Sequence, residues 1–267
     1  GGGRGGNGGD AHTVAAHTHR RLAALLRDDL LPLCPTLLSD EDPIPLYALK
    51  LLGGALEADR EMCAEVVELG LAPRFFEFLS LEHTNNNVHN VRLCLVLASS
   101  RAVPMHALCQ FGAGHKVAAV LSYAHENAVE PFMEPALGIC RALLARASEE
   151  HRLDAARGGR GGEALTLALD GVAPLLQLSP VLVECAAAGE TEVAGSAIPQ
   201  LAAESLRLMV ELLPKEAAAA VFHPHVPLTA AVQAMGSAAA AARGEGGFAD
   251  VVFRPGDGAS GGGGRDQ

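Results

Sequence analysis

Several small groups of residues in this chain carry side chains that could do chemistry. His12, His17 and His19 form H-x4-H-x-H, and His223 and His225 flank Pro224, so metal ligation is the first chemistry to weigh. Paired histidine ligands on a helix stand four residues apart on one face. The five-residue step from His12 to His17 misses that spacing, and few carboxylates stand nearby to complete a site. Solvated imidazoles and no metal centre are the expectation. Cys94 lies near His89, and Cys109 near His106, which are the parts of a nucleophile and its base. Both thiols sit in apolar stretches, where a cysteine stays protonated and inert. Gly1, Gly3 and Gly6 satisfy G-x-G-x-x-G, but no strand precedes them and no helix follows directly to cradle a phosphate. "HRLD", from His151 to Asp154, approximates the catalytic H-R-D of kinases without a Gly-rich strand, a V-A-I-K lysine or a D-F-G. No serine stands in a G-x-S-x-G elbow. The segment therefore offers no catalytic residue. A rival reading, in which the histidines or Cys94 act on a small molecule, requires a closed pocket where at least two of these groups converge.

The elements that would position these residues are helices. The chain has 267 residues, 49% of them apolar, with no Trp and only two Tyr. Ala and Leu dominate, and they are the strongest helix formers. "PIPLYALKLLGGALEA" runs through Leu46, Leu49, Leu52 and Leu56 at helical spacing. "EMCAEVVELG" ends at Gly70, a C-cap, and "APRFFEFLSL" restarts after Pro73. No segment alternates persistently with period two, so the chain reads as all-α. Twenty Lys and Arg against 31 Asp and Glu give a net charge of −11. That balance argues against nucleic acid as a ligand, since phosphate binding needs a basic stripe, and against a bare anionic membrane. No stretch reaches the ~18–20 apolar residues of a membrane span. The six cysteines are scattered singly with no CxxC pair, as expected of buried, reduced thiols in a soluble, cytoplasmic protein.

Glycine tracts set the expected organisation. Residues 1–10 and 255–267 read as disordered tails and 151–162, with "RGGRGG", as a flexible linker. Helical repeats fill 11–150 and 163–254. An internal comparison supports repeats: Ala48 matches Val91 and Met62 matches Met105, at an offset of 43 both times. Gly70 then falls near Gly112 and Gly114, each followed by another helix. A period of ~40–47 residues is the armadillo and HEAT range, and an armadillo/HEAT-like α-solenoid is the expected architecture.

Within it, Asn85, Asn86 or Asn87 is the N-cap of a helix whose apolar stripe is Val88, Val91, Leu95 and Ala98, widened by Cys94 and Leu97. His89 and Arg92 share the next face. An arginine on a buried helix needs a carboxylate or helix-end carbonyls, and Glu134 is the expected partner of Arg92 if repeats stack. The acids Glu57, Asp59, Glu61, Glu65 and Glu68 read as a solvated face rather than a docking site.

Two strings, "HNVRLCLVLA" (89–98) and "FMEPALGICRALLAR" (132–146), resemble the C-terminal armadillo-type region of the Fused-type (plant TWO-IN-ONE-like) serine/threonine kinase family. The later "VAPLLQLS…AAESLRLMVELLPKEAAAAVF" resembles its following helices more loosely, and the Gly- and Ala-rich insertions resemble those of green-algal sequences. The resemblance implies a non-catalytic, protein-binding scaffold in a longer kinase chain, at work in microtubule-based processes at the cilium and its central pair or in cytokinesis. It implies protein partners, a kinesin or ciliary and microtubule-associated components, in the cytoplasm, cilium or cytoskeleton. It implies no cofactor in this segment, ATP and magnesium belonging to a kinase domain elsewhere in the parent. In such a stack the groove is lined by polar residues of one helix per repeat. His89, Asn90 and Arg92, then Glu134 and Arg141, are the expected partner-binding residues.

Overall fold

In the computed structural model, residues 21, 24–188 and 196–213 are described. The expected terminal tails, the histidines at 12, 17, 19, 223 and 225, and the helices expected after Leu213 lie outside them. A lead-in of π, 3-10 and α turns from Leu26 to Leu37 is followed, among the described residues, by ten α-helices and no strand. They are α1 (Ile44–Ala58), α2 (Met62–Glu68), α3 (Ala72–Phe78), α4 (Val88–Ser99) and α5 (Met105–Gln110). Then come α6 (Ala113–Glu126), α7 (Glu130–Ala156), α8 (Glu163–Leu176), α9 (Ser179–Ala188) and α10 (Ile198–Leu212).

The boundaries follow from local chemistry. Gly70, at φ +67°, ends α2 in a left-handed turn. There Leu71 N–H donates to Val66 O at 3.1 Å and Gly70 N–H to Val67 O at 2.9 Å, the paired bonds of a Schellman motif. Pro73 opens α3, where its missing N–H costs nothing. Asn87 caps α4: its side-chain oxygen accepts from His89 N–H at 3.0 Å and Asn90 N–H at 3.2 Å.

The leading helices of the first three units begin at residues 44, 88 and 130. Those starts reproduce the period read from the sequence, and they set the packing. α1, α4, α7 and α10 lie side by side, each against the next. Adjacent helices in this row run parallel. Arg141 and Ser148 of α7 meet Glu204 and Glu211 of α10, both at an offset of 63. Between α4 and α7, Leu95 packs on Gly138, at the internal offset of 43. The other helices back this row: α3 on α4, α6 on α7, α8 on α5, α6 and α7, and α9 on α10. The result is an all-α solenoid whose core runs continuously from Leu31 to Leu213, as a repeat stack requires.

Two expectations change. The segment 151–162 is not an unstructured linker. α7 continues to Ala156, and the carboxylate of Asp154 accepts from Gly161 N–H at 3.1 Å and Gly162 N–H at 3.0 Å. The acid satisfies the orphan donors of a glycine turn, and α8 packs straight back on α6 and α7. The second correction concerns α4, which carries no single stripe. Asn90, Val91, Leu93, Cys94, Val96, Leu97 and Ala98 are all buried because α1, α3 and α7 surround the helix. None of the described helices is individually long and apolar enough to cross a membrane; α8 and α9 pass that test only as a pair bent by 63°.

Candidate partner-binding surface

The parallel row leaves one arc of each member uncovered, and the expected site residues fall on it unevenly. On α4, Arg92 is exposed and His89 half-buried. Lys50, exposed on α1, stands close enough to act on His89. Burial first, then the charges of Lys50 and Arg92, lower the His89 pKa below its ordinary value and favour the neutral ring. Glu134 is exposed near the start of α7, and Arg141 is half-exposed further along, 3.7 Å from Glu204 of α10.

The expected Arg92–Glu134 bond does not form; both side chains are exposed, and neither enters an ion pair among the described residues. The physical reason is a swap of roles. The arginine that meets helix-end carbonyls is Arg146 of α7, whose Nη1 donates to Ala98 O and Ser100 O, each at 3.2 Å. Ala98 lies in the last turn of α4, where carbonyls lack intrahelical donors, and Ser100 is its C-cap, whose carbonyl also accepts from Val103 N–H at 3.4 Å. Burial lowers the Arg146 pKa, and the nearby Glu149 opposes that shift.

Asn90 is likewise corrected. It is fully buried, and its Nδ2 donates to Phe75 O at 3.1 Å, so it cannot face a partner. Cys94 Sγ reaches the same carbonyl at 3.4 Å. Together they satisfy an acceptor in the last turn of α3 and lock it to α4. Asn90 and Cys94 are joints between helices rather than reactive groups.

An enzyme reading calls on the cysteines and histidines, and burial keeps the buried thiols among them protonated. Burial pushes the Cys34 thiol up to about 11 and Cys140 to about 12, and moves Cys94 higher still. Cys109, half-buried, donates to Leu167 O at 3.3 Å. No three His, Cys, Asp or Glu side chains gather as metal ligands among the described residues. One open recess of about 400 Å³ lies between α7 and α10, lined by Ser148, His151, Arg152, Arg207, Leu208 and Glu211. Its acid is already engaged: Glu211 accepts from the Ser148 hydroxyl at 3.1 Å and pairs with Arg207. Neither His89 nor a cysteine lines it. Of the acids around α2, Glu65 pairs with Arg27 at 2.5 Å, while Glu57, Glu61 and Glu68 are exposed.

Sequence reasoning missed three residues of this face. Lys50, Tyr47 and Leu51 share the exposed arc of α1, with Tyr47 64% and Leu51 52% exposed. The available signal was Lys50, the one charged side chain between Pro43 and Leu56.

Comparison with known proteins agrees with this architecture. The model of the RUNKEL ARM-repeat domain matches residues 71–242, more than half of the chain. HEAT repeats of the serine/threonine-protein kinase ULK4-like family match residues 8–64. The serine/threonine-protein kinase RUNKEL of Arabidopsis thaliana is 37% identical over 125 residues, 47% of this chain and 9% of that protein. The serine/threonine-protein kinase ULK4 of Mus musculus is 42% identical over 69 residues, 26% of this chain and 5% of that protein. The chain thus matches less than a tenth of the length of either relative. No solved structure matches. With its parallel helix row and its 43-residue period, this chain belongs to the RUNKEL ARM-repeat family, the repeat region of Fused-type serine/threonine kinases.

Proposed function

We propose that the chain is a non-catalytic protein-interaction scaffold within a Fused-type serine/threonine kinase that acts in microtubule-based processes, at the cilium or in cytokinesis. The observation that carries the reading is the uncovered arc of the parallel row α1, α4, α7 and α10. A solenoid presents such a face along its length, and a partner can lie across several repeats. The relatives' names supply the kinase context, and phosphoryl transfer, with its ATP and magnesium, belongs to a separate domain of such a parent. On this reading the partners are proteins, a kinesin or ciliary and microtubule-associated components, met in the cytoplasm, cilium or cytoskeleton.

The test is affinity capture from a ciliated or dividing cell lysate with the full 267-residue chain as bait, read by quantitative mass spectrometry. Enrichment of microtubule, ciliary or kinesin components over a bait-free control is expected. Recovery of none of them would remove the cellular role from the proposal.

A further inference from the structure

We infer that the face shared by α1 and α4, built from Tyr47, Lys50, Leu51, His89 and Arg92, docks an acidic segment of a partner protein that also carries an aliphatic or aromatic side chain. The inference rests on the scaffold reading and adds the chemistry of the partner.

Charge is the first argument. The chain carries −11, so a locally positive spot stands against its own background. The cations in the ion pairs of the described residues are Arg27, Arg101, His125, Arg141 and Arg207; Lys50 and Arg92 are absent from that set. The two flank His89 where α1 packs on α4: a Cβ on Gly53, one turn from Lys50, would stand 3.8 Å from His89 O, and Arg92 lies one turn on from His89, whose pKa is lowered by burial first and then by these two charges. Glu134, exposed on the next helix of the row, does not pair with Arg92.

Shape supplies the second argument. Tyr47, Lys50 and Leu51 stand at i, i+3 and i+4 on α1, so one helical face offers an aromatic ring, an aliphatic side chain and an ammonium together. Tyrosine and arginine are the residues that interfaces favour, and large apolar side chains beside charge call for a ligand that is itself mixed. A purely polyanionic ligand leaves Tyr47 and Leu51 unused, and two cations on an acidic chain make no phosphate-binding stripe. Steering by unlike charge sets the approach, while the apolar contacts retain the ligand.

The experiment is a fluorescence-anisotropy titration of the full chain with a short labelled peptide of glutamate, aspartate and leucine. Its lysine counterpart and a single-stranded oligonucleotide serve as comparisons. The wild-type chain is expected to bind the acidic peptide and to weaken as salt rises. The variant Lys50→Glu/Arg92→Glu is expected to lose about tenfold or more in affinity. Arg101→Glu/Arg157→Glu changes net charge equally at exposed positions elsewhere and should stay within about twofold, as screened distant charges do. Thermal melts show whether each variant is folded, and all four altered side chains are exposed. The assignment is overturned if the wild type ignores the acidic peptide, binds the lysine peptide or the oligonucleotide as well, or loses as much in the control variant. Capture of the same lysate proteins by Lys50→Glu/Arg92→Glu as by wild type sinks this patch and leaves the scaffold reading standing.

Discussion

Three glycines on the helices of this stack should respond to alanine in a fixed order, set by what a new Cβ would meet. At Gly54, exposed on α1, nothing lies within 4 Å. Alanine there removes backbone entropy from the unfolded chain and should stabilise by about 0.5–1 kcal/mol. At Gly138 in α7, the Cβ would stand 2.9 Å from Leu95 Cδ1 and 3.0 Å from Cδ2. Leu95 is half-buried and can turn, so the helix gain and a rotamer cost of about 1 kcal/mol roughly offset. At Gly114 the Cβ would lie 2.0 Å from Gly171 O, a backbone atom, against the 3.4 Å at which ordinary contact begins. The α6 and α8 backbones must part by more than an ångström, which strips packing from the centre of the stack. The cost should be about 3 kcal/mol or more, at the upper end for overpacking. For a chain of this size each kcal/mol moves Tm by about 2–4 °C, so thermal unfolding followed by circular dichroism resolves the series. The expected order is Gly54→Ala above wild type, Gly138→Ala near it, and Gly114→Ala well below or failing to fold. A Gly114→Ala chain that melts with the wild type would refute the close crossing of α6 and α8.

Other contacts give further expectations. Asn87→Ala removes the acceptor for two N–H groups of α4 and should cost about 1 kcal/mol by denaturant melt, whereas Asn87→Asp should cost little. Arg146→Met leaves the Ala98 carbonyl without this donor and the Ser100 carbonyl with only the Val103 N–H at 3.4 Å, and should cost about 1–3 kcal/mol by denaturant melt. Folding raises the thiol pKa of Cys34 from 9.0 to about 11 and of Cys140 to about 12. The folded state therefore holds those protons more tightly, and stability should be intact below pH 9.0 and fall as pH rises from there through the folded values. The same burial predicts slow alkylation of the native chain by iodoacetamide near neutral pH, with half-buried Cys109 reacting ahead of Cys94 and Cys140, and rapid labelling in urea.

What the sequence disclosed and what it hid divide along physical lines. Features whose cause is local were readable: the left-handed turn at Gly70, the proline start of α3 and the asparagine cap of α4. So was the period, because a repeat brings its leading helix back at a near-constant spacing, here at residues 44, 88 and 130. Features that depend on which neighbour arrives were not. Arg92 and Arg146 both stand inside apolar helices, and only the placement of α7 against the end of α4 decides that the second is the half-buried one that meets carbonyls. Asn90 sits next to its cap on a helix with polar neighbours and looked solvent-facing; the open carbonyl of Phe75, fifteen residues back, buries it. The glycines of 157–162 read as slack by composition, and nothing local marks Asp154 as the carboxylate that gathers their N–H groups. The exposed arc of α1 was hidden in the same way. Leu46 shares its helical spacing with Leu49, Leu52 and Leu56, yet it is 36% exposed where those three are buried, and the partly uncovered arc continues through Tyr47 and Lys50.

Lysine footprinting of the full chain, free and bound to the proteins it captures, tests the central claim most directly. Lys50 lies on the proposed docking face, whereas Lys116 lies on α6 in the backing layer and serves as an internal reference. The account predicts that acylation of Lys50 falls at least about tenfold on binding, as burial under a partner requires, while Lys116 keeps its rate. Equal labelling of Lys50 in both states, with protection at Lys116 instead, would contradict it.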